Sequence, residues 1–349
     1  MKALLLAGGL GTRLRPLTDD LPKPMVPIMG KPLLERIILN LKKSGVDEVV
    51  ISTHYKSDYI ENYFKGKSKE LGVKIHYVTE ETPLGTGGAI KNAEKFFDDT
   101  FLILNSDIVS DIDYADLVKY HKRRRAQVTI ASIEVRDTSQ YGVIEFDSKG
   151  FITAFKEKPK PGESNSKYIN AGVYVFEPEV LKEIPANTQV SVERETYPLL
   201  LSKGYKMAIY KFTGYWMDIG TVDKYKKVHE DILKGKSRFV AGLSTRGIIL
   251  GENVKIHPTA SVIGPAYIGD NTEVDAYATV GPYTVIGSNC RIGQESKVSN
   301  SVLWDNIKVR RFARLENSVV TSECVVEVNM EIKNTVFTAN KLADITLTP

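Results

Sequence analysis

Cysteine is nearly absent from this chain: Cys290 and Cys324 are the only two in 349 residues. That is too few for a disulfide framework, and their spacing offers no metal site, so both read as small packing residues. Histidine is also sparse, with five residues at 54, 76, 121, 229 and 257 and no paired spacing such as H-E-x-x-H. A zinc-dependent chemistry is not expected. Nor is there a run of about 18 apolar residues, the length a membrane span needs. The opening apolar stretch, residues 3–6, is short and runs into Gly8 and Gly9 without the cleavage site of a secretory leader. A cytoplasmic protein without membrane association is expected. Charge of one sign is missing too: 47 Lys and Arg stand against 43 Asp and Glu, a net +4 that gives no broad field for nucleic acid. The basic run Lys122-Arg123-Arg124-Arg125 reads as a solvated helix end.

What the chain does have begins at residue 7, where AGGLGTRLRPLTDDLPKP follows a short apolar strand. Glycines at a strand end let backbone N–H groups approach a ligand closely, and phosphate is the usual guest. The dinucleotide fingerprint fails, because Leu14 stands where its third glycine is needed. The P-loop pattern fails as well, since no Gly-Lys-Ser/Thr follows. What remains is Gly8-Gly9-Leu10-Gly11-Thr12-Arg13 with Lys23 beyond it, two cations able to fold over a polyphosphate. A tight turn with solvated basic residues is the other reading the loop leaves open. Two carboxylates stand at comparable places: Asp107, after the apolar run 101–104, and Asp218, between Gly214 and Gly220. Two carboxylates plus bound phosphates suit octahedral Mg²⁺, although either Asp alone is an ordinary turn or cap residue.

The hydrophobic period divides the chain. Up to about residue 235 short apolar strands, at 2–6, 48–52, 74–77, 101–104, 128–132 and 173–176, alternate with helical stretches such as 32–43. This predicts an α/β domain over 1–236 with a Rossmann-like mixed, mostly parallel sheet, its ligands beyond the carboxyl ends of the strands. From Leu250 an aliphatic residue recurs every six residues through Ile256, Val262, Ile268, Val274, Val280, Ile286, Ile292 and Val298. A mostly small residue follows each by four. Nine consecutive matches predict a parallel β-helix over 237–349, with the aliphatics stacked inward. The period loosens after Val302, and coils are expected to about residue 336. Trp304 and Phe312 are candidates for packing at the capped end or against a second subunit.

The ordered set Gly8-Gly9-Leu-Gly11-Thr12-Arg13, Pro22-Lys23-Pro24, Pro83-Leu84-Gly85-Thr86, Asn105-Ser106-Asp107, Glu157-Lys158-Pro159, Asn170-Ala171-Gly172 and Trp216-Met-Asp218-Ile-Gly220 resembles the sugar-1-phosphate nucleotidyltransferase family. Within it the chain is most similar to mannose-1-phosphate guanylyltransferases, through Asn105-Ser106-Asp107 and Ser191-Val-Glu193-Arg194-Glu195 before Tyr197-Pro198. The repeats resemble left-handed β-helices. The resemblance implies an NTP, GTP first, reacting with a hexose 1-phosphate, mannose first, to give NDP-sugar and pyrophosphate. Thymidylyl or uridylyl transfer to glucose 1-phosphate is the alternative.

Arg13, Lys23, Asp107 and Asp218 are then the expected catalytic residues, with Mg²⁺ on Asp107 and Asp218. Arg13 would meet the β and γ phosphates and Lys23 the phosphate under attack. The nucleotide would lie against Leu6, Ala7, Gly8, Gly9, Gly11, Thr12, Gly85 and Thr86. The sugar phosphate would lie against Gly142, Glu157, Lys158, Asn170 and Gly172. Two other classes compete. Many acyltransferases are hexapeptide β-helices, with His257 the one candidate histidine in the repeat, and a non-catalytic paralogue would bind NDP-sugar without making it. A homo-oligomer, a dimer or higher, assembled through the β-helix is expected.

Overall fold

The computed structural model describes residues 1–160, 162–240 and 247–348. They divide into two units, Met1–Leu10 with Ile37–Trp216, and Gly11–Arg36 with Met217–Pro349.

The first unit is built on a nine-stranded sheet. Its order is Ile152–Glu157, Gly142–Phe146, Tyr168–Phe176, Phe101–Asn105, Lys2–Leu6, Glu48–Thr53 and Lys74–Thr79, with Val128–Glu134 joined to Tyr168–Phe176 and Met207–Lys211 beyond it. The strands from Phe101–Asn105 to Lys74–Thr79 are parallel. Tyr168–Phe176 runs antiparallel to three neighbours, so the sheet is mixed in nearly equal parts rather than mostly parallel. Covered on both faces, the central strands read as unbroken apolar runs, LLL and FLIL, because no side faces water. Leu4, Ile103, Ile130, Tyr174 and Tyr197 lie in their common core.

All six expected strands are present. The last starts at Tyr168, before the expected 173, because Asn170-Ala171-Gly172 is a kink inside the strand and not its boundary. The register shifts between Asn170 and Tyr174, and Gly172 has φ +70°. The helix Leu33–Lys43 forms where its period places it, starting after Pro32, which pairs in a short hairpin instead.

In the second unit three parallel sheets stack coil upon coil, the left-handed β-helix expected from the repeats. Ile268 pairs with Ile286, Val274 with Ile292 and Val280 with Val298, a spacing of 18 residues per coil. Ala266, Thr272, Ala278, Thr284, Cys290 and Ser296 are buried at the inner corners, where only small side chains fit. Asparagines take the left-handed backbone at outer corners, as at Asn253, Asn271 and Asn289, and hydrogen-bond one another along the solenoid.

The loosening after Val298 is a shortened corner at Ser299-Asn300-Ser301. From there coils repeat every 17 residues, Ile286 pairing with Leu303 and Val298 with Leu315. The inward column therefore continues through Leu303, not through a residue six after Val298. The last parallel strand is Val336–Thr338, and the antiparallel strand Lys341–Leu342 with buried Leu347 closes that end.

Trp304 is buried against the chain's own helix Val222–Leu233, where it bonds Tyr225, while Phe312 stays 38% exposed. Among the described residues no helix is long and apolar enough to cross a membrane.

Candidate functional site

In the first unit the predicted residues gather along the edge of the sheet where its parallel strands end. Leu6 and Ala7 end the strand Lys2–Leu6, and the Ala7 N–H donates to the Ser52 carbonyl at 2.8 Å, which carries the chain out to Gly8. A Cβ on Gly8 would stand 3.1 Å from Glu80 Oε1. Glu80 is buried and held there by Ser52 Oγ at 3.1 Å and by the Leu84 N–H at 2.9 Å. Gly9 has nothing within 4 Å of a built Cβ. Gly85 and Thr86 open the helix Gly85–Asn92, pressed against the facing backbone. Gly85 has φ +70°, and a Cβ there would lie 2.6 Å from the Val190 carbonyl oxygen, so only glycine fits.

A second cluster stands around Gly142 and Gly172. Gly142 pairs across the sheet with Glu157, and a Cβ on it would meet Glu157 Oε2 at 2.8 Å. One on Gly172 would meet Asn105 Nδ2 at the same distance. Asn170 donates to the Tyr174 hydroxyl and accepts from the Gly172 N–H, both at 2.9 Å. Burial pushes the Glu157 carboxyl above its ordinary range, and the neighbouring Glu193 carboxylate adds to the shift, with Lys158 and Arg194 opposing it. Lys158 is exposed with φ +48°, a left-handed backbone that is costly without glycine, and its N–H is fixed to the Tyr141 carbonyl at 3.0 Å. Tyr141 stacks edge-on to Trp216, whose Nε1–H donates to the Ala171 carbonyl at 3.0 Å. Asp107 follows the strand Phe101–Asn105, half-buried, in the turn entering Ile108–Ser110.

The second unit holds the remaining candidates. Gly11 has φ +64° and its carbonyl accepts from Thr18 Oγ1 at 2.9 Å and the Leu14 N–H at 3.0 Å, so the loop closes as a 3₁₀ turn over Thr12–Leu14. Leu14 and Leu17 anchor it in the interior and leave Thr12 and Arg13 at the surface. Lys23 starts a second 3₁₀ turn, half-buried beside Gly11. Gly220 lies between Asp218 and Arg13: a Cβ on it would be 2.9 Å from Asp218 Oδ2 and 3.7 Å from Arg13 Nη2. Arg13 and Asp218 are thus neighbours. Asp107 belongs to the other unit.

Three participants escaped the sequence reading. Glu80 gave no signal beyond an acidic pair in a loop. Glu193, in the quoted Ser191-Val-Glu193 stretch, accepts from Thr86 Oγ1 at 2.8 Å and lies by Glu157, linking the turn at Gly85 to the cluster at Gly142. Its signal was the Ser191 cap at the head of a π-helical turn, Val192–Thr196. Lys224 pairs with Asp218 Oδ1 at 2.5 Å, one turn into the helix capped by Thr221. His257 is exposed, and its Nδ1 bonds only locally, to Thr259, as a corner residue does. A groove of about 500 Å³ lined by Tyr120, Arg123, Lys149, Tyr210 and Lys211 contains none of these residues.

Residues 2–235 match the family described as nucleotidyl transferase, and residues 245–343 match the EIF2B subunit epsilon LbH domain. A mannose-1-phosphate guanylyltransferase from Mycobacterium tuberculosis is 37% identical, over 88% of this chain and 80% of that protein. A UTP–glucose-1-phosphate uridylyltransferase from Synechocystis is 35% identical over 87% of this chain and 83% of its own length. Among solved structures, HddC from Yersinia pseudotuberculosis aligns at TM-score 0.58 and 32% identity, covering 66% of this chain and 99% of that one.

Proposed function

The chain belongs to the nucleotidyl transferase family, and from that premise we propose that it transfers a nucleotidyl group from GTP to mannose 1-phosphate, releasing pyrophosphate. A phosphate oxygen of the sugar phosphate attacks the α-phosphorus as the bond from that phosphorus to the β-phosphate oxygen breaks. The attacking oxygen is already anionic, so no side chain has to remove a proton. Rate then comes from alignment and from charge placed where it develops. Arg13 neutralises the departing pyrophosphate, and Lys23 holds the phosphate under attack. Lys158 binds the sugar phosphate, while Glu157, Asn170, Gly142 and Gly172 line the hexose pocket. Gly8 and the turn at Gly85 and Thr86 lie against the base.

The observation that carries this reading is the cluster at Gly142 and Gly172, where Glu157, Asn105 and Asn170 converge on glycines that have no room for a side chain. Neutral and charged polar groups gathered in this way suit a polyhydroxylated ring. The carboxylates Asp107 and Asp218 offer the hard oxygen donors Mg²⁺ prefers, and among the described residues no group of three or more His, Cys, Asp or Glu stands ready to hold a metal. The substrate phosphates would complete the shell. When bound, Mg²⁺ would supply positive charge to the reacting phosphates.

The Synechocystis relative favours a second reading, uridylyl transfer to glucose 1-phosphate. Pyrophosphate release measured for each NTP and dTTP against mannose and glucose 1-phosphates decides between them. Turnover with no pair would refute both.

We further propose a cytoplasmic homo-oligomer assembled through the β-helix, supported by the exposed Ile248, Leu250 and Ile263 on its first coils. A monomer by light scattering at micromolar concentration would overturn the assembly.

A further inference from the structure

The β-helix carries none of the reacting groups, yet its coils hold the segment that follows Lys23. Trp304 is 5% exposed and Tyr225 fully buried. The Trp304 Nε1–H donates to the Tyr225 hydroxyl at 2.9 Å, and that hydroxyl donates to the Pro27 carbonyl at 2.7 Å. The direction is fixed, since an indole only donates and a carbonyl only accepts. Neighbouring contacts pin the same turn. Arg36 takes the next two carbonyls, Ile28 through Nε at 3.1 Å and Met29 through Nη2 at 2.6 Å. Gly30, at φ +77°, lies so close to Tyr267 of the β-helix that a Cβ would be 2.9 Å from its hydroxyl. The helix Val222–Leu233 that carries Tyr225 is itself tied to the coils through Lys226 Nζ and Asn300 Oδ1 at 3.0 Å. That helix starts just after Asp218, whose carboxylate faces Gly220 and Arg13.

We propose that Trp304 and Tyr225 are positioning residues for the reaction: through the Pro27 carbonyl the β-helix sets where Lys23 stands. The proposal rests on the role given to Lys23 above. A buried two-bond relay on a backbone carbonyl four residues from a phosphate-binding cation fixes that cation's root, and a displacement of about 1 Å in such a group can cost about a hundredfold in rate. The solenoid is then a part of the catalytic apparatus as well as the proposed assembly surface.

The test uses the full-length protein. Tyr225→Phe removes the donor to Pro27 and keeps the ring, and Trp304→Phe removes the indole N–H together with part of the ring volume. Folding is checked by circular dichroism and a thermal melt. Where Tyr225→Phe does not fold, Trp304→Phe carries the same measurement. The expected result is a fall in kcat of about tenfold for Tyr225→Phe, a smaller fall for Trp304→Phe, and a sugar-phosphate KM within about twofold of wild type, because that pocket is built elsewhere. Each substitution is then repeated in a Lys23→Ala background, where its effect on the residual kcat should shrink to less than about twofold. A loss of the same size in both backgrounds overturns the relay, as does a wild-type kcat in folded Tyr225→Phe. If Lys23→Ala alone keeps the wild-type rate, the role of Lys23 fails, and the proposal with it.

Discussion

His229 should make the second unit acid-sensitive. It lies on the helix Val222–Leu233, 2% exposed, with Nδ1–H donating to the Tyr225 carbonyl at 3.0 Å and its ring edge-on to Tyr225 at 4.7 Å between centroids. Burial pulls its pKa down from the ordinary 6.5 to about 4, and nearby Arg36 and Lys226 push the same way. A depressed histidine pKa means that the unfolded chain takes up the proton first. Stability is therefore full above about pH 6.5 and falls as pH drops toward 4, where the folded protein begins to protonate as well. At 1.36 kcal/mol per pKa unit the interval is worth roughly 3 kcal/mol.

The assay is urea unfolding from pH 7 to pH 4, wild type against His229→Asn, whose amide can keep the bond to the Tyr225 carbonyl but cannot titrate. The variant starts less stable because the ring is lost. Its stability should fall with acid by roughly 3 kcal/mol less than the wild type's. Other groups titrate over the same range, among them His121, held low by burial, so the difference between the two proteins is the quantity that counts. Parallel curves would refute the assignment of a buried neutral imidazole.

Asp107→Asn and Asp218→Asn should each remove most turnover, on the order of a hundredfold or more, while the protein still folds by circular dichroism. Near wild-type rates at saturating Mg²⁺ would remove that residue from the metal. Arg13→Ala should lower kcat, whereas Lys158→Ala should raise the KM for sugar phosphate several-fold, so a Lys158→Ala enzyme with wild-type KM would take this lysine out of the pocket. Gly281→Ala should destabilise the β-helix by roughly 3 kcal/mol or more in a denaturant titration, because Gly281 has φ +102° and a Cβ there would fall 1.9 Å from the Ile263 carbonyl oxygen.

What could be read in the sequence was whatever repeats or follows a period. The six-residue ladder fixed the inward column as far as Val298, since one side of a coil needs one aliphatic and one small corner residue. The shortened corner at Ser299-Asn300-Ser301 could not be read, because deleting one residue leaves a pattern that looks merely weaker until the pairing of Val298 with Leu315 is known. Strand interiors were equally legible in Lys2–Leu6 and Phe101–Asn105, buried on both faces. Tyr168–Phe176 was legible only from Val173, because Asn170 and Gly172 interrupt its apolar run, and its antiparallel partners come from distant segments that no local pattern names.

The candidate site divides along the same physical line. Glycines and cations in a loop announce themselves, because the backbone conformation they permit and the charge they carry are local properties. Groups recruited by tertiary contact do not. Glu80 gains its place from Ser52 and the Leu84 N–H, and Glu193 gains its own from Thr86, more than a hundred residues away. Trp304 is the sharpest case. At the end of a coil, a bulky aromatic reads as a cap or a subunit contact, and only the position of Tyr225 turns it inward. That contact alters what a shortened chain would do. Ending the protein near Lys236 would keep Arg13, Lys23, Asp107 and Asp218 but strip Trp304, Tyr267 and Asn300 from the helix Val222–Leu233 and from the turn at Pro27. Tyr225 would lose its donor and part of the cover that buries it. A loss of turnover on truncation would thus follow from a displaced Lys23 even where the catalytic sheet, cored by Leu4, Ile103 and Tyr174, stays folded.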